Sequence, residues 1–370
     1  MTAPSRSAEL GPSGRLTTLT TRDFRNLAAV DAEFPAEGVV LVGENGEGKT
    51  NVLEAIYYLV LFRSLRGAKD RELVRFGTAG FFVAGRTETR VTVGYDVQRA
   101  RKKVTVDGRE LTRMADGIGH VAAVAFSPSD RAIVAGGPAG RRRYLDVLLS
   151  LGASSYLMHL TTMRQALKQR NAALRDGRAR EARAFDTPFA AAAADVAAAR
   201  RRWITNWAAR YRELSAALGE RGDPALEYRP DHRRASDTPD AIGQALADAA
   251  DRDLRRGTTT VGPHRDDLAL TLDGKDLRRY GSAGQQRTAA VALRLLEAET
   301  LRAALGRAPI GLYDDVFAEF DHGRQERLLQ LIRETLPGQA ILTAPRESEV
   351  PASLLDRPRW RVAAGRIEVA

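Results

Sequence analysis

The densest chemical signal in the chain is the run Gly43, Glu44, Asn45, Gly46, Glu47, Gly48, Lys49 and Thr50. It fits G-x-x-x-x-G-K-[ST] and stands between the apolar run GVVLV and the apolar stretch TNVLEAIYYLVLF, the strand–loop–helix setting in which such a loop cradles phosphates. Glycines let the backbone curl until its N–H groups and a helix N-terminus face the anion. Lys49 then neutralises the β and γ oxygens, and Thr50 reaches a Mg2+ ion. The loop alone does not choose among kinases, GTPases and motor-like ATPases, so the acids carry more weight. Asp314 and Asp315 close the mostly apolar run Ile310 to Tyr313, which places two carboxylates at the C-terminal end of a parallel strand, where open α/β sheets bind ligands. Asp314 is the expected Mg2+ partner beside Thr50. Asp315 is the expected general base, orienting or deprotonating an attacking water.

A third piece is YGSAGQQR, in which Ser282 can cap the following helix, with Val291, Leu295, Ala298 and Leu305 as its buried stripe. Ser282, Gly284 and Gln285 also resemble the signature of ABC-type ATPases, in which the serine, the glycine amides and the helix N-terminus bind the γ-phosphate held by the opposite subunit. AEFD at 318–321 resembles the D-loop of the same class. The resemblance implies ATP as ligand, Mg2+ as cofactor, catalytic roles for Lys49, Ser282, Asp314 and Asp315, and an ATP-dependent homodimer. Arg25 and Asn26 fall where ABC heads lean on the base or α-phosphate, and equally fit a surface hairpin. The class pattern is incomplete. No glutamine opens the helical part, Thr343 stands where a histidine follows the final strand, and the second acid is an aspartate one methylene shorter than glutamate. Slow hydrolysis is expected.

The elements that position these residues follow from periodicity. Residues 16–42 read as strands broken at Pro35 and Gly38, and residues 81–112 alternate with period two around a DG turn at 107–108, an antiparallel β patch. From 127 to 256 Ala/Leu/Arg-rich helical spacing takes over. After it come a second hairpin in LALTLDGKDL, a helix over 285–305 and the strand before Asp314. The expected fold is an α/β P-loop NTPase with an ABC-type ATPase head at 16–126 and 257–370, an all-helical insert at 127–256, no long coiled coil, and a disordered leader at 1–15. With no cysteine, disulfides and thiolate metal sites are excluded, and a reducing compartment is favoured. No signal peptide or membrane-length apolar run is visible, so a soluble cytoplasmic protein is expected. Lys+Arg of 57 against Asp+Glu of 47 gives a net charge of +10 over 370 residues, a hint of polyanionic partners.

Several stretches narrow the resemblance to the RecF family of bacterial recombination mediators. They are FRNL near the start, GENGEGKTNVLEAIYYL, FSPSDRAIVAGGPAGRRRYLD at 126–146, GPHRDDL at 262–268, GSAGQQR and LYDDVFAEFD at 312–321. Membership implies an ATP-dependent DNA-binding protein of recombinational repair and replication-fork maintenance. It implies a homodimer that closes on ATP at duplex or gapped DNA, hydrolyses ATP slowly as a switch, and promotes RecA loading and SOS induction with RecR and RecO. The alternative is an SMC-like or other ABC-type mechanical ATPase, against which the short helical insert stands. Arg141 to Arg143 and the series Arg164, Lys168, Arg170, Arg175, Arg178, Arg180 and Arg183 are candidate phosphate contacts or solvated helix faces. Trp203 and Trp207 are expected to pack the helical part. His264 and Arg265 have no role derivable from sequence.

Overall fold

A computed structural model describes residues 14–230, 233–234, 236–317, 322–350, 354 and 356–369. The expected leader therefore lies, up to residue 13, outside the described residues, as do AEFD at 318–321. The chain divides into two compact units, one of residues up to Pro128 and from Glu297 onward, the other Ser129–Leu296.

The first unit is built on a six-stranded sheet whose order is Arg366–Val369, Arg359–Ala363, Gly38–Val42, Ala340–Ala344, Ile310–Tyr313, Ala123–Phe126. All pairings but the first are parallel. AVAF, IGLY and AILTA are buried at every position, as strands covered on both faces must be, which is why they read as apolar runs without alternation. The register sets Val42 opposite Ala344 and Tyr313 opposite Leu342, so the loops leaving these strands emerge along one edge. Gly38 is required here: a Cβ on it would lie 1.9 Å from the Ala340 carbonyl oxygen, and its φ of 96° is left-handed.

A second, antiparallel sheet of the same unit runs in the order Leu27–Glu33, Thr18–Phe24, Gly80–Arg86, Arg90–Asp96, Arg101–Val106, Arg109–Glu110. Asp107 and Gly108, with φ of 47° and 81°, form the expected primed hairpin turn. Helix Lys49–Leu61 buries ten of its thirteen residues, the apolar stretch after the loop having no polar face to offer water.

In the second unit, helices Pro138–Gly152, Ser154–Arg175 and Asp186–Ala217 pack with Pro239–Asp248 around Tyr156, Leu160, Met163, Phe189, Val196, Ile242 and Leu246. Trp203 is buried and Trp207 half-buried on the long helix. That helix, at 32 residues, is the longest among the described residues, and no long coiled coil is present among them. Among the described residues no helix is long and apolar enough to cross a membrane.

The segment expected to be all helix also contains a strand. Pro224–Arg229 pairs antiparallel with Asp267–Leu272, Leu226 opposite Leu270, and Lys275–Asp276 completes a three-stranded sheet through a second primed turn at Asp273 and Gly274. Ion pairs reinforce that pairing: Arg141 grips Asp267 with bonds of 2.8 and 2.9 Å, and Arg234 grips Asp266 with bonds of 2.7 and 2.6 Å. Residues 257–296, which the sequence pattern assigns to the head, accordingly fall in the second unit.

Most arginines of this unit are exposed, but Arg141, Arg170, Arg200 and Arg234 are buried. Arg170 is 2% exposed and binds Asp186, Asp253 and Thr259, and Arg200 is 1% exposed and binds Asp146, Tyr156 and the Pro263 carbonyl. Arg141, Arg164, Arg170 and Arg178 are thus held in ion pairs. Arg143, Lys168, Arg175 and Arg180 are exposed or half-exposed. Asp253 is fully buried, so removing its arginine strands a charge in a low-dielectric interior. Arg170→Ala should lower stability by about 3–5 kcal/mol, read as a shifted midpoint in urea unfolding followed by helical circular dichroism. An unchanged midpoint would show Asp253 to be adequately solvated without it.

Candidate functional site

Three strands of the parallel sheet build the site. Gly38–Val42 delivers the phosphate loop, Ile310–Tyr313 delivers Asp314 and Asp315, and Ala340–Ala344 runs between them. The loop's left-handed turns at Gly46 and Gly48, φ of 89° and 115°, are open to glycine alone without strain, and Gly48 forms the N-cap of helix Lys49–Leu61. Gly43 packs against the Val362 carbonyl, where a Cβ would approach to 2.2 Å. Lys49, 4% exposed, donates to the Gly43 and Glu44 carbonyl oxygens at 2.6 and 3.0 Å, so its ammonium already spans the loop.

The Thr50 hydroxyl donates to Asp314 Oδ1 at 2.7 Å. Thr343 Oγ1 lies 3.2 Å from Asp314 Oδ1 and 3.0 Å from Asp315 Oδ1, and accepts the Asp315 backbone N–H at 2.9 Å. Asp315 itself takes φ of 48°, a left-handed conformation that aspartate tolerates better than most residues. Burial pushes the Asp314 carboxyl above its ordinary value. The neighbouring Asp315 adds to the rise, while hydrogen bonds from Thr50 and Thr343 and the charge of Arg66 oppose it. A hydroxyl and a carboxylate in contact form a hard, all-oxygen donor set that suits Mg2+. A cavity of about 20 Å³ adjoins Asp315, Thr343, Pro345 and Glu349, room for about one water.

Around the loop the structure reveals a network that motif reading missed. Glu54 is fully buried in the helix after the loop and receives Arg25 at 3.0 and 3.3 Å, Arg66 at 3.4 Å and Ser64. Arg66 also donates to Asn51 at 2.7 Å, Asn51 to Asn26 at 2.8 Å, and Asn26 to the Gly46 carbonyl at 3.3 Å. Asn26 is therefore at the loop, while Arg25 is turned to Glu54. The available signal was an acid and an amide inside the otherwise apolar TNVLEAIYYLVLF. Glu47 braces the loop from its other side: its carboxylate accepts the Ala364 N–H, and its carbonyl accepts the Gly365 N–H at 2.9 Å.

Ser282, Gly284 and Gln285 belong to the second unit and open helix Ala283–Leu305. Ser282 Oγ accepts the Gln285 N–H at 3.2 Å, and Gln285 Oε1 accepts the Ser282 N–H at 2.9 Å, a reciprocal capping box. Ser282 remains exposed and Gly284 half-buried. In the GPHRDDL stretch, His264 Nε2 sits 3.1 Å from the Thr259 carbonyl, the ring is edge-on to Phe189, and burial pushes its pKa down to about 4. It is neutral near pH 7 and offers no cation. Asp266 and Asp267 are the partners of Arg234 and Arg141, so this stretch is largely a structural ion-pair node. Among the described residues no histidine, cysteine or acid cluster suits a further metal.

The fold, the phosphate loop and the acids facing it across a parallel sheet define an ABC-type ATPase head. The RecF/RecN/SMC N-terminal domain model matches residues 15–353. A DNA replication and repair protein RecF from Anaeromyxobacter dehalogenans (strain 2CP-C) is 40% identical over 370 residues, covering 95% of this chain and 98% of that one. The solved structure of the recombination mediator protein RecF–ATP superposes with a TM-score of 0.87 at 28% identity, covering 96% of this chain and 97% of that one. A second RecF structure, in complex with ATPrS, gives 0.84 at 30% identity, covering 96% and 98%. The chain belongs to the RecF/RecN/SMC family.

The raised Asp314 makes a stability prediction for the nucleotide-free protein. A carboxyl whose folded pKa is raised contributes stability below its unfolded pKa and loses it as pH rises through the folded value, so at pH 7 the ionised group opposes folding. Asp314→Asn keeps an oxygen for Thr50 and Thr343 and carries no charge. The variant should melt above the parent at pH 7, with the gap closing on acidification toward the ordinary carboxylate range, and should gain nothing from added Mg2+ with nucleotide. A variant that melts below the parent at pH 7 would show the ionised form to be favoured.

Proposed function

We propose that this chain binds and hydrolyses ATP as a switch that closes two copies on DNA during recombinational repair. The observation that carries the reading is the 2.7 Å bond from Thr50 to Asp314, joining the phosphate loop to the acidic strand end across 264 positions of sequence. Its support is also comparative, since a similar solved chain is the recombination mediator RecF–ATP. In this reading Lys49 swings from the Gly43 and Glu44 carbonyls to the β and γ oxygens, and the loop N–H groups of residues 43–50 hold the remaining phosphate charge. Thr50 and Asp314 would hold Mg2+, which when bound offsets charge on the β and γ oxygens. Asp315 orients or deprotonates the attacking water. Its side chain is shorter than glutamate's, so turnover is slow and the closed state long-lived. DNA stimulates the reaction by favouring closure.

Ser282, Gly284 and Gln285 complete the site from the opposite copy. The capping box is suited to that role, because Ser282 is exposed at the start of a long helix and its position is already ordered by the reciprocal bonds with Gln285. Partners in this reading are duplex or gapped DNA and, by similarity to the solved RecF chains of the RecFOR pathway, RecR and RecO ahead of RecA loading. The site of action is the cytoplasm. Helices no longer than 32 residues among the described ones favour a compact clamp over an SMC-like arm.

Two variants test the shared site. Lys49→Met should lose ATP binding and, with it, ATP-dependent retention on gapped duplex in sedimentation. Ser282→Arg should still bind ATP at near-parental affinity but lose ATP-induced dimerisation and hydrolysis together. A mere capping role predicts only a loss of about 0.5–2 kcal/mol with the ATP response intact. Mixing the two variants rebuilds one complete site, so hydrolysis should recover in the mixture. Failure to recover while subunits demonstrably exchange would count against the shared site.

A further inference from the structure

Thr343 occupies a position that packing alone does not explain. The strand Ala340–Ala344 is buried throughout, its other side chains are apolar, and Thr343 is 4% exposed. A valine has the same shape and suits a buried parallel strand better, because a hydroxyl taken from water costs free energy unless it finds partners. The partners of this hydroxyl are the Asp315 N–H at 2.9 Å, Asp315 Oδ1 at 3.0 Å and Asp314 Oδ1 at 3.2 Å. It has one proton to give. Asp314 Oδ1 already receives Thr50 at 2.7 Å, so the shorter contact to Asp315 is the better use of that proton.

From this geometry we infer that Thr343 is a positioning residue for Asp315: it accepts from the residue's backbone and donates to its carboxylate, fixing both ends of the side chain. Two contacts on one small residue restrict χ1 and hold the left-handed backbone at φ 48°. The central position of the strand makes this possible. Lying between the strand that feeds the loop and the strand that feeds the acids, it carries its fourth residue to the carboxyl edge of the sheet beside both. Thr343 touches neither substrate nor reacting atoms in this scheme. It acts through Asp315, and the inference therefore rests on the general-base reading of that residue.

The test uses the full chain with ATP, Mg2+ and gapped duplex DNA. Thr343→Val should lower kcat by about tenfold or more, a part of the ~10²–10⁴ that a positioned base supplies, with KM and the affinity for a fluorescent ATP analogue changed less than about twofold. Thr343→Ser and Thr343→Ala both lose the methyl and differ only in the hydroxyl, so serine should restore parental kcat and alanine should not. This pair decides the matter if the valine variant proves unstable by melting temperature. In an Asp315→Asn background, Thr343→Val should add no further loss, because its target is gone. Parental kcat in Thr343→Val and Thr343→Ala alongside a slow Asp315→Asn overturns the positioning role and leaves the general base standing. Multiplicative losses in the double variant overturn it as well. Parental turnover in Asp315→Asn instead removes the base and the inference together.

Discussion

The contact between Thr50 and Asp314 constrains everything around it. Two residues 264 positions apart must meet within 2.7 Å, and neither belongs to a segment that can move freely to find the other. Thr50 is fixed by the helix that starts at Lys49, Asp314 by the strand that ends at Tyr313. Their meeting is therefore a statement about sheet register. Shifting any of the three central strands by one residue would move its side chains to the opposite face of the sheet and carry the acids or the loop off the shared edge. The unbroken burial of these strands makes such a slip costly on both faces, and that cost protects the site.

Charge is handled differently in the two units. In the first, ionisable groups gather around the loop: Glu54 is buried whole and compensated by Arg25, Arg66 and Ser64, an arrangement that ties the turn before Asn26, the helix and the following segment into one piece. In the second, Arg141, Arg170, Arg200 and Arg234 lie inside, each on an aspartate. Buried pairs of this kind add little net stability over apolar packing, but breaking one is expensive. They discriminate among packings of Ala-rich helices, whose small side chains offer little shape by themselves. These four arginines are thus structural, and because each is matched by an aspartate the net charge of +10 is carried by other residues.

What could be read from sequence was local. The phosphate loop, the paired acids, both DG turns and the Ser282 cap each depend on residues within a few positions of one another, where residue type dictates conformation directly. The strand Pro224–Arg229 escaped because it gains its identity from Asp267–Leu272, some forty positions on, and its own pattern is too short to stand against the helices around it. Arg25 suited a ligand contact by position, yet its partner is an acid on the helix after the loop, a pairing no spacing rule reveals. Thr343 was visible only as a departure from the expected histidine. Its meaning depends on which strands flank it, and that order is a property of the sheet.

The brace on Glu47 carries a consequence for how the chain acquires its activity in time. The phosphate loop leaves the ribosome before the turn at Ala364 and Gly365 that grips it, which is encoded 317 positions later. The strands that lie between loop and acids, and between loop and brace, are late as well. A nascent chain thus carries an intact motif before the sheet that shapes it has been made. In this architecture the braced form of the loop is a property of the finished domain.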